Sequence, residues 1–168
     1  MSTTARTGVA GGLAGRACAW LPVIGVILLA AQASAADIGS RRAAAGINGI
    51  FARAERGDPR AETMLGYMYY TGNGVAQSYA AAADWYTRSA HQGDPDAQYL
   101  LGLMYDKGLG VDLDVIRAYK WLNLAAAHAP RGNREAYVRI RDAVAGKMTS
   151  DQLVIGQQLA VEFIPTRP

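Results

Sequence analysis

The chain has 168 residues, enough for one domain of ordinary size, and its 51% hydrophobic and 18% charged residues exclude global disorder. The formal net charge is +3, but Arg6 and Arg16 fall in an N-terminal leader and no acidic residue precedes Asp37, so residues 36–168 carry 15 basic and 14 acidic side chains. A nearly neutral domain lacks the net positive charge that is typical of nucleic-acid-binding proteins, so we expect no nucleic-acid partner.

The N-terminal leader has the features of a secretory signal peptide. An apolar run over 21–31 follows a basic, acid-free segment, and residues 33–35 (Ala-Ser-Ala) are the small residues that signal peptidase accepts. We therefore predict a signal peptide over 1–35, cleavage before Ala36, and a periplasmic or secreted domain without membrane contact afterwards. The alternative is an uncleaved anchor, because residues 17–36 are uncharged over about one bilayer span.

An internal repeat of 36 residues dominates the sequence after the leader. Residues 58–93 and 94–129 align without gaps, and 13 of the 36 positions are identical, which is well above chance for this composition. Residues 41–57 precede the first unit, and we predict that they form a helix standing where the second helix of an earlier unit would stand. Residues 36–40 are expected to form a flexible tail.

Each unit carries the signals of two helices joined by a tight turn. In the first unit, Asp58 offers a capping carboxylate and Pro59 occupies the first helical position of helix A. Gly72 and Gly74 are expected to end helix A, because glycine readily adopts the left-handed conformation, and Ser78 is expected to cap helix B. The second unit repeats these signals at Asp94, Pro95, Gly108, Gly110 and Asp114.

A glycine lies in the middle of each helix A, at Gly66 and Gly102. Glycine in a helix interior costs about 1 kcal/mol relative to alanine. We expect a close approach of helix B to compensate, since a side chain at these positions would block it.

The positions that recur in both units form a specific motif. In the first unit the motif comprises Ala61, Leu65-Gly66, Tyr69, Gly72-x-Gly74-Val75, Ala82, Trp85-Tyr86 and Ser89-Ala90, and it returns from Ala97 to Ala126. This pattern resembles the Sel-one-like repeats (SLR), which are relatives of the tetratricopeptide repeats. The resemblance implies an all-α fold, an αα-hairpin repeat solenoid with a tetratricopeptide-like superhelix, that serves as a protein-interaction scaffold and is usually not an enzyme.

Residues 130–168 are predicted to cover the C-terminal end of this solenoid with capping helices. A helix is expected over 132–145, closed by Gly146. Residues 149–152 (Thr-Ser-Asp-Gln) have the pattern of a capping box, which predicts a last helix that ends near Phe163.

The sequence contains no recognisable catalytic or metal-binding constellation. His91 and His128 fall near the ends of the B helices, out of register and without a partner set. The single cysteine, Cys18, lies in the leader, and no motif for a hydrolytic nucleophile and base is present. We predict no enzymatic activity, no cofactor and no metal.

Tetratricopeptide geometry, carried over through the resemblance, implies a binding groove lined by the A helices. The side chains one position off the repeat core would line it, and they are Arg60, Thr63, Tyr67 and Tyr70 in the first unit and Asp96, Tyr99, Leu103 and Asp106 in the second. Tyrosine is favoured at interfaces, so Tyr67, Tyr70 and Tyr99 are the expected anchors. The resulting hypothesis is an exported scaffold that binds a protein or peptide in this groove.

Two alternatives remain at the level of sequence. The chain could be a regulatory or assembly factor of a cell-envelope complex, held at the membrane if the leader is not cleaved. The docking surface could also be the first C-terminal capping helix, on which Arg131, Arg134 and Arg141 are predicted to share a face.

Overall fold

The computed structural model describes residues 45–166, which form seven α-helices and contain no strand. Helix α1 occupies residues 45–55, and the remaining helices are α2 (Pro59–Thr71), α3 (Tyr79–His91), α4 (Pro95–Lys107), α5 (Val115–His128), α6 (Arg134–Ala145) and α7 (Ser150–Val161). The predicted all-α fold is confirmed. The predicted signal peptide, the tail over 36–40 and residues 41–44 of the N-terminal helix lie outside the described residues.

The four repeat helices begin at the predicted capping residues, and α2 and α4 end at the predicted glycines. Asp58 accepts hydrogen bonds from the backbone N–H groups of Arg60 at 3.0 Å and Ala61 at 3.3 Å. At the other end of α2, Gly72 adopts a left-handed conformation with φ of 74° and donates its N–H to the carbonyl of Met68. Equivalent caps occur at Ser78, Asp94, Gly108 and Asp114.

The two helices of each repeat pack closely at the mid-helix glycines. A Cβ atom on Gly66 would lie 2.6 Å from the ring of Tyr86, and one on Gly102 would lie 2.7 Å from Cγ of Leu122. Both distances are too short for a real contact, so only glycine allows the two helices to approach this closely. The predicted close approach of helices A and B is confirmed.

Helix α1 extends the repeat pattern on the N-terminal side. Apolar side chains of α1 pack against α2, and the carbonyl of Arg53 accepts a hydrogen bond from the backbone N–H of Asp58 at 3.1 Å. Thirty-six residues later, the carbonyl of Ser89 accepts from Asp94 at 3.3 Å. Because α1 joins α2 through the same turn as α3 joins α4, it takes the place of a B helix before the first repeat.

Helix α6 extends the pattern on the other side. It packs on α5 as α4 packs on α3, so it takes the place of the A helix of a third repeat. Tyr137 of α6 is buried against Ala125 and Ala129 of the α5 end. The helix begins at Arg134, two residues later than the predicted span of 132–145.

Helix α7 begins at the predicted capping box. The Thr149 hydroxyl accepts from the backbone N–H of Gln152 at 3.3 Å, and the Gln152 side chain accepts from the backbone N–H of Thr149 at 3.0 Å. The helix packs on α5 at Gly156, where a Cβ atom would lie 2.9 Å from the ring of Tyr119. It ends at Val161, two residues before the predicted end. Within the described range, no helix is both long and apolar enough to cross a membrane.

Candidate docking groove

An open cavity of about 230 Å³ lies between the A helices of the two repeats. Its walls come from α2, from α4 and from the turn after α4, and its floor comes from α3. The lining residues are Tyr67, Tyr70, Tyr86, Leu100, Leu103, Met104, Lys107 and Leu109. We name this cavity the inter-repeat cavity.

Tyr86 forms the floor of the inter-repeat cavity. Its side chain is fully buried, and its ring lies against the backbone of Gly66. Its hydroxyl has no hydrogen-bond partner within the described part of the chain. Burial raises the pKa of Tyr86, and the neighbouring phenols of Tyr70 and Tyr67 raise it further. The hydroxyl is therefore a neutral donor at physiological pH.

Two tyrosines of α2 form one wall of the cavity. The Tyr67 side chain is 53% exposed, whereas Tyr70 is half-buried. The Tyr70 ring packs edge-on against Tyr79, with 5.2 Å between ring centroids, and its carbonyl accepts from the Gln77 side chain at 2.9 Å. Tyr70 is thus held in place, while Tyr67 presents its ring to solvent.

A cation lies at the rim of the cavity beside a buried carboxylate. The Asp106 side chain pairs with Nζ of Lys147 at 2.6 Å and with Nζ of Lys107 at 3.0 Å. Burial opposes ionisation of Asp106, but the two ammonium groups outweigh it and hold the pKa of this carboxyl below its ordinary value. One carboxylate therefore faces two cations, and the rim keeps an excess positive charge.

Three of the eight predicted groove residues line the cavity, namely Tyr67, Tyr70 and Leu103. Two of the second repeat contact α6 instead, because α6 stands where the next A helix would stand. The Tyr99 ring stacks on Tyr137 with a centroid distance of 4.2 Å, and the Tyr137 hydroxyl donates to Asp96. These contacts are structural, so Tyr99 is not an open anchor.

The other three predicted groove residues are not among the lining residues of the cavity either. Asp106 is buried in the ion pairs described above, and Arg60 is exposed at the start of α2. Thr63 belongs to the junction between the repeats, where its hydroxyl lies 2.8 Å from Oγ of Ser89 and donates to Asp94 at 3.2 Å. The usable groove is therefore shorter than the sequence predicted.

Five lining residues were not among the predicted groove positions, and they are Tyr86, Leu100, Met104, Lys107 and Leu109. Tyr86 was recognised only as a position of the repeat motif. One sequence signal could have singled it out: the corresponding residue of the second repeat is Leu122, whose shorter side chain carries no hydroxyl. A tyrosine at this buried position needs a hydrogen-bond partner for its hydroxyl, whereas a leucine does not.

The predicted basic surface of the first capping helix is only partly assembled. Arg131 lies in the turn before α6, because the helix begins at Arg134. Arg134 donates to the carbonyl of Ala127 at 3.3 Å, and Arg141 pairs with Asp142 at 2.7 Å. Two of the three arginines are thus engaged within the protein.

His91 packs among aromatic side chains at the end of α3. The His91 ring packs edge-on against Trp121, with centroids 5.2 Å apart, and also contacts Phe163. Burial lowers the pKa of His91, and the nearby Lys120 lowers it further. Within residues 45–166, no group of three or more His, Cys, Asp or Glu side chains is arranged to hold a metal ion.

Comparison with known proteins agrees with this architecture. A family model described as "Sel1 repeat" matches residues 59–94 and 95–129. A protective antigen present in uropathogenic Escherichia coli strains, which displays an SLR fold, is 29% identical with a TM-score of 0.64; the match covers 70% of this chain but only 25% of that protein. A Sel1 repeat protein from Oxalobacter formigenes is 39% identical with a TM-score of 0.51, and the match covers 55% of this chain and 70% of that one. No curated protein matches the chain.

The family has a general role. Sel1 repeat proteins are helical repeat scaffolds that generally mediate protein–protein interaction and are typically not enzymes. The repeat motif and the two hairpins confirm the resemblance found in the sequence. The chain belongs to the Sel1 repeat family.

Proposed function

We propose that the chain is an exported scaffold that docks a segment of a partner protein in the inter-repeat cavity. One observation carries this proposal: α6 contacts Asp96 and Tyr99 of the second repeat, while Tyr67, Tyr70 and Leu103 surround an open space. Tyrosine is a frequent hot-spot residue in protein interfaces, because its ring buries a large area with little loss of conformational entropy. Export is supported by the signal-peptide features of residues 1–35.

The matched pair Tyr67→Ala and Met64→Ala tests the docking surface. Both side chains lie on α2 and both are 53% exposed, but only Tyr67 lines the cavity. We expect Tyr67→Ala to lower the recovery of the partner from cell-envelope extract at least tenfold, as loss of a hot-spot residue does. Met64→Ala is expected to leave recovery within twofold.

Quantitative mass spectrometry of affinity-purified tagged chain measures the recovery of each co-purified protein. Both variants should keep the wild-type melting temperature, since exposed substitutions change stability little. Equal losses for Tyr67→Ala and Met64→Ala, or no loss for either, would show that the partner binds elsewhere on the surface.

A further inference from the structure

We propose that the inter-repeat cavity holds the aromatic ring of a phenylalanine from a partner segment, and that acidic residues beside this phenylalanine lie near the ammonium groups at the rim. This inference rests on the proposed function, because it assigns the chemistry of the partner at the same groove. The partner is therefore expected to present an exposed phenylalanine that is flanked by aspartate or glutamate.

The surface that a ligand can reach in the cavity is largely apolar. Tyr86 and Met104 are only 0% and 1% exposed, so they support the walls from behind and do not meet a ligand. The reachable surface comes from two tyrosines, three leucines and one lysine, namely Tyr67, Tyr70, Leu100, Leu103, Leu109 and Lys107. A charged side chain in this space would lose its water and find no oppositely charged wall, so an apolar side chain is favoured.

The volume of the cavity suits one aromatic ring. It measures about 230 Å³, and a cavity of about 150 Å³ lined by Leu, Ile and Phe already suffices to bind benzene. Sites for drug-sized ligands are larger, at roughly 300–1,000 Å³. The rings of Tyr67 and Tyr70 in the wall are aromatic partners, and aromatic pairs are more stable than their buried area alone predicts. A phenyl ring therefore uses this cavity better than an aliphatic side chain does.

The rim of the cavity presents positive charge to the solvent. The side chains of Lys107 and Lys147 are 60% and 49% exposed, and both pair with the carboxylate of Asp106, whose side chain is only 5% exposed. One carboxylate cannot neutralise two ammonium groups, and an ammonium has three N–H donors, so each can accept a further anionic neighbour without leaving Asp106. Acidic residues next to the inserted phenylalanine complement this charge.

Four short peptides with an acetylated N-terminus and an amidated C-terminus probe both parts of the assignment. They are Gly-Asp-Phe-Asp-Gly, Gly-Asp-Leu-Asp-Gly, Gly-Asp-Ser-Asp-Gly and Gly-Lys-Phe-Lys-Gly. Titration of the isotope-labelled full chain, followed by NMR chemical shifts, should give an affinity for the acidic Phe peptide about tenfold above that for the Ser peptide, because the ring is removed from water. We expect it to exceed the affinity for the Leu peptide about threefold.

The basic Phe peptide tests the charge at the rim. At low salt it should bind severalfold more weakly than the acidic Phe peptide, and added NaCl should reduce this difference, because exposed charges are screened. Lys107→Gln should reduce the preference for the acidic peptide. The matched control is Arg139→Gln, which removes an exposed cation of α6 outside the cavity and should leave the preference unchanged.

Leu103→Ser tests the wall of the cavity. We expect it to weaken the acidic Phe peptide about fivefold, because an apolar contact of the ring is lost. The matched control is Leu159→Ser, which alters a leucine of α7 that is 36% exposed and lies outside the cavity, and it should leave the affinity unchanged. If Leu103→Ser lowers the melting temperature, Tyr67→Ala gives the same test at an exposed position.

Three results would overturn this inference: equal affinities for the Phe and Ser peptides, a Leu peptide that binds as tightly as the Phe peptide, or full affinity in Tyr67→Ala. Equal affinities for the acidic and basic Phe peptides at low salt would overturn the acidic flank. If no peptide binds while capture of the partner still depends on Tyr67, the phenylalanine assignment is wrong and the docking function stands. If the Phe peptide binds through Leu103 but capture does not depend on Tyr67, the aromatic site stands and the proposed scaffold function is wrong.

Discussion

Gly110→Ala is expected to destabilise the protein by about 3 kcal/mol or more. A Cβ atom at this position would overlap the carbonyl carbon and oxygen of Tyr79 and would lie 2.6 Å from the backbone nitrogen of Ala80. Because these are backbone atoms at the start of α3, relief requires the two repeats to separate. The φ angle of 70° adds a further cost for any residue with a side chain.

The control for this variant is Gly74→Ala at the equivalent position of the first repeat. Its φ angle of 78° gives the same backbone penalty, but its Cβ would meet only side-chain atoms, Cδ1 of Ile47 at 2.6 Å and Cε of Met68 at 3.4 Å, which can move aside. We expect urea unfolding to give a free energy of unfolding about 1–2 kcal/mol below that of the wild type. Equal losses for the two variants would contradict the described packing of the turn after α4 on α3.

Gly102→Leu is expected to lower the free energy of unfolding by about 3 kcal/mol or more. A Cβ atom there would lie 2.7 Å from Cγ of Leu122 and 3.2 Å from the carbonyl oxygen of Ala118. The longer leucine side chain extends the overlap, so α4 and α5 must move apart and the core of the second repeat loosens. Thermal melting monitored by circular dichroism should show a lower melting temperature than that of the wild type.

Gly49→Leu is the matched control, because Gly49 also lies within a helix but has nothing within 4 Å of its Cβ position. Leucine has a higher helix propensity than glycine, so this variant should be neutral or stabilising by up to about 1 kcal/mol. An unchanged melting temperature for Gly102→Leu would refute the close packing of the second hairpin.

The hairpins could be predicted because their signals are local. Asp58 caps a helix through atoms two and three residues away, and Gly72 ends it through a bond to the preceding turn. Such contacts depend on neighbouring residues alone. Gly102 also indicated a contact between distant parts of the sequence. Glycine in a helix interior destabilises the helix, so close packing of a neighbouring helix must compensate.

The extent of the groove could not be predicted, because it depends on the helix that packs against the last repeat. In the first repeat, Tyr67 and Tyr70 face the cavity beside α4. In the second repeat, Tyr99 meets Tyr137 of α6, a helix that carries no repeat motif. Nothing in the sequence of α6 indicates that it takes the place of a third A helix.

The Tyr86 hydroxyl, which has no partner within residues 45–166, could not be predicted from the sequence either. The motif identifies Tyr86 as a core position, and the structure buries its side chain completely. Whether a buried tyrosine finds a partner for its hydroxyl depends on the side chains that three different helices bring together. Such a constellation becomes visible only in three dimensions.

Site-specific photo-crosslinking in the living cell tests whether the inter-repeat cavity is the docking surface. A benzophenone side chain replaces Tyr67 in the cavity wall, Asp84 on the exposed face of α3, or Arg131 in the turn before α6. We expect a strong crosslink to a partner protein from position 67 and little or none from positions 84 and 131. A crosslink from position 131 or 84 in the absence of one from position 67 would contradict it.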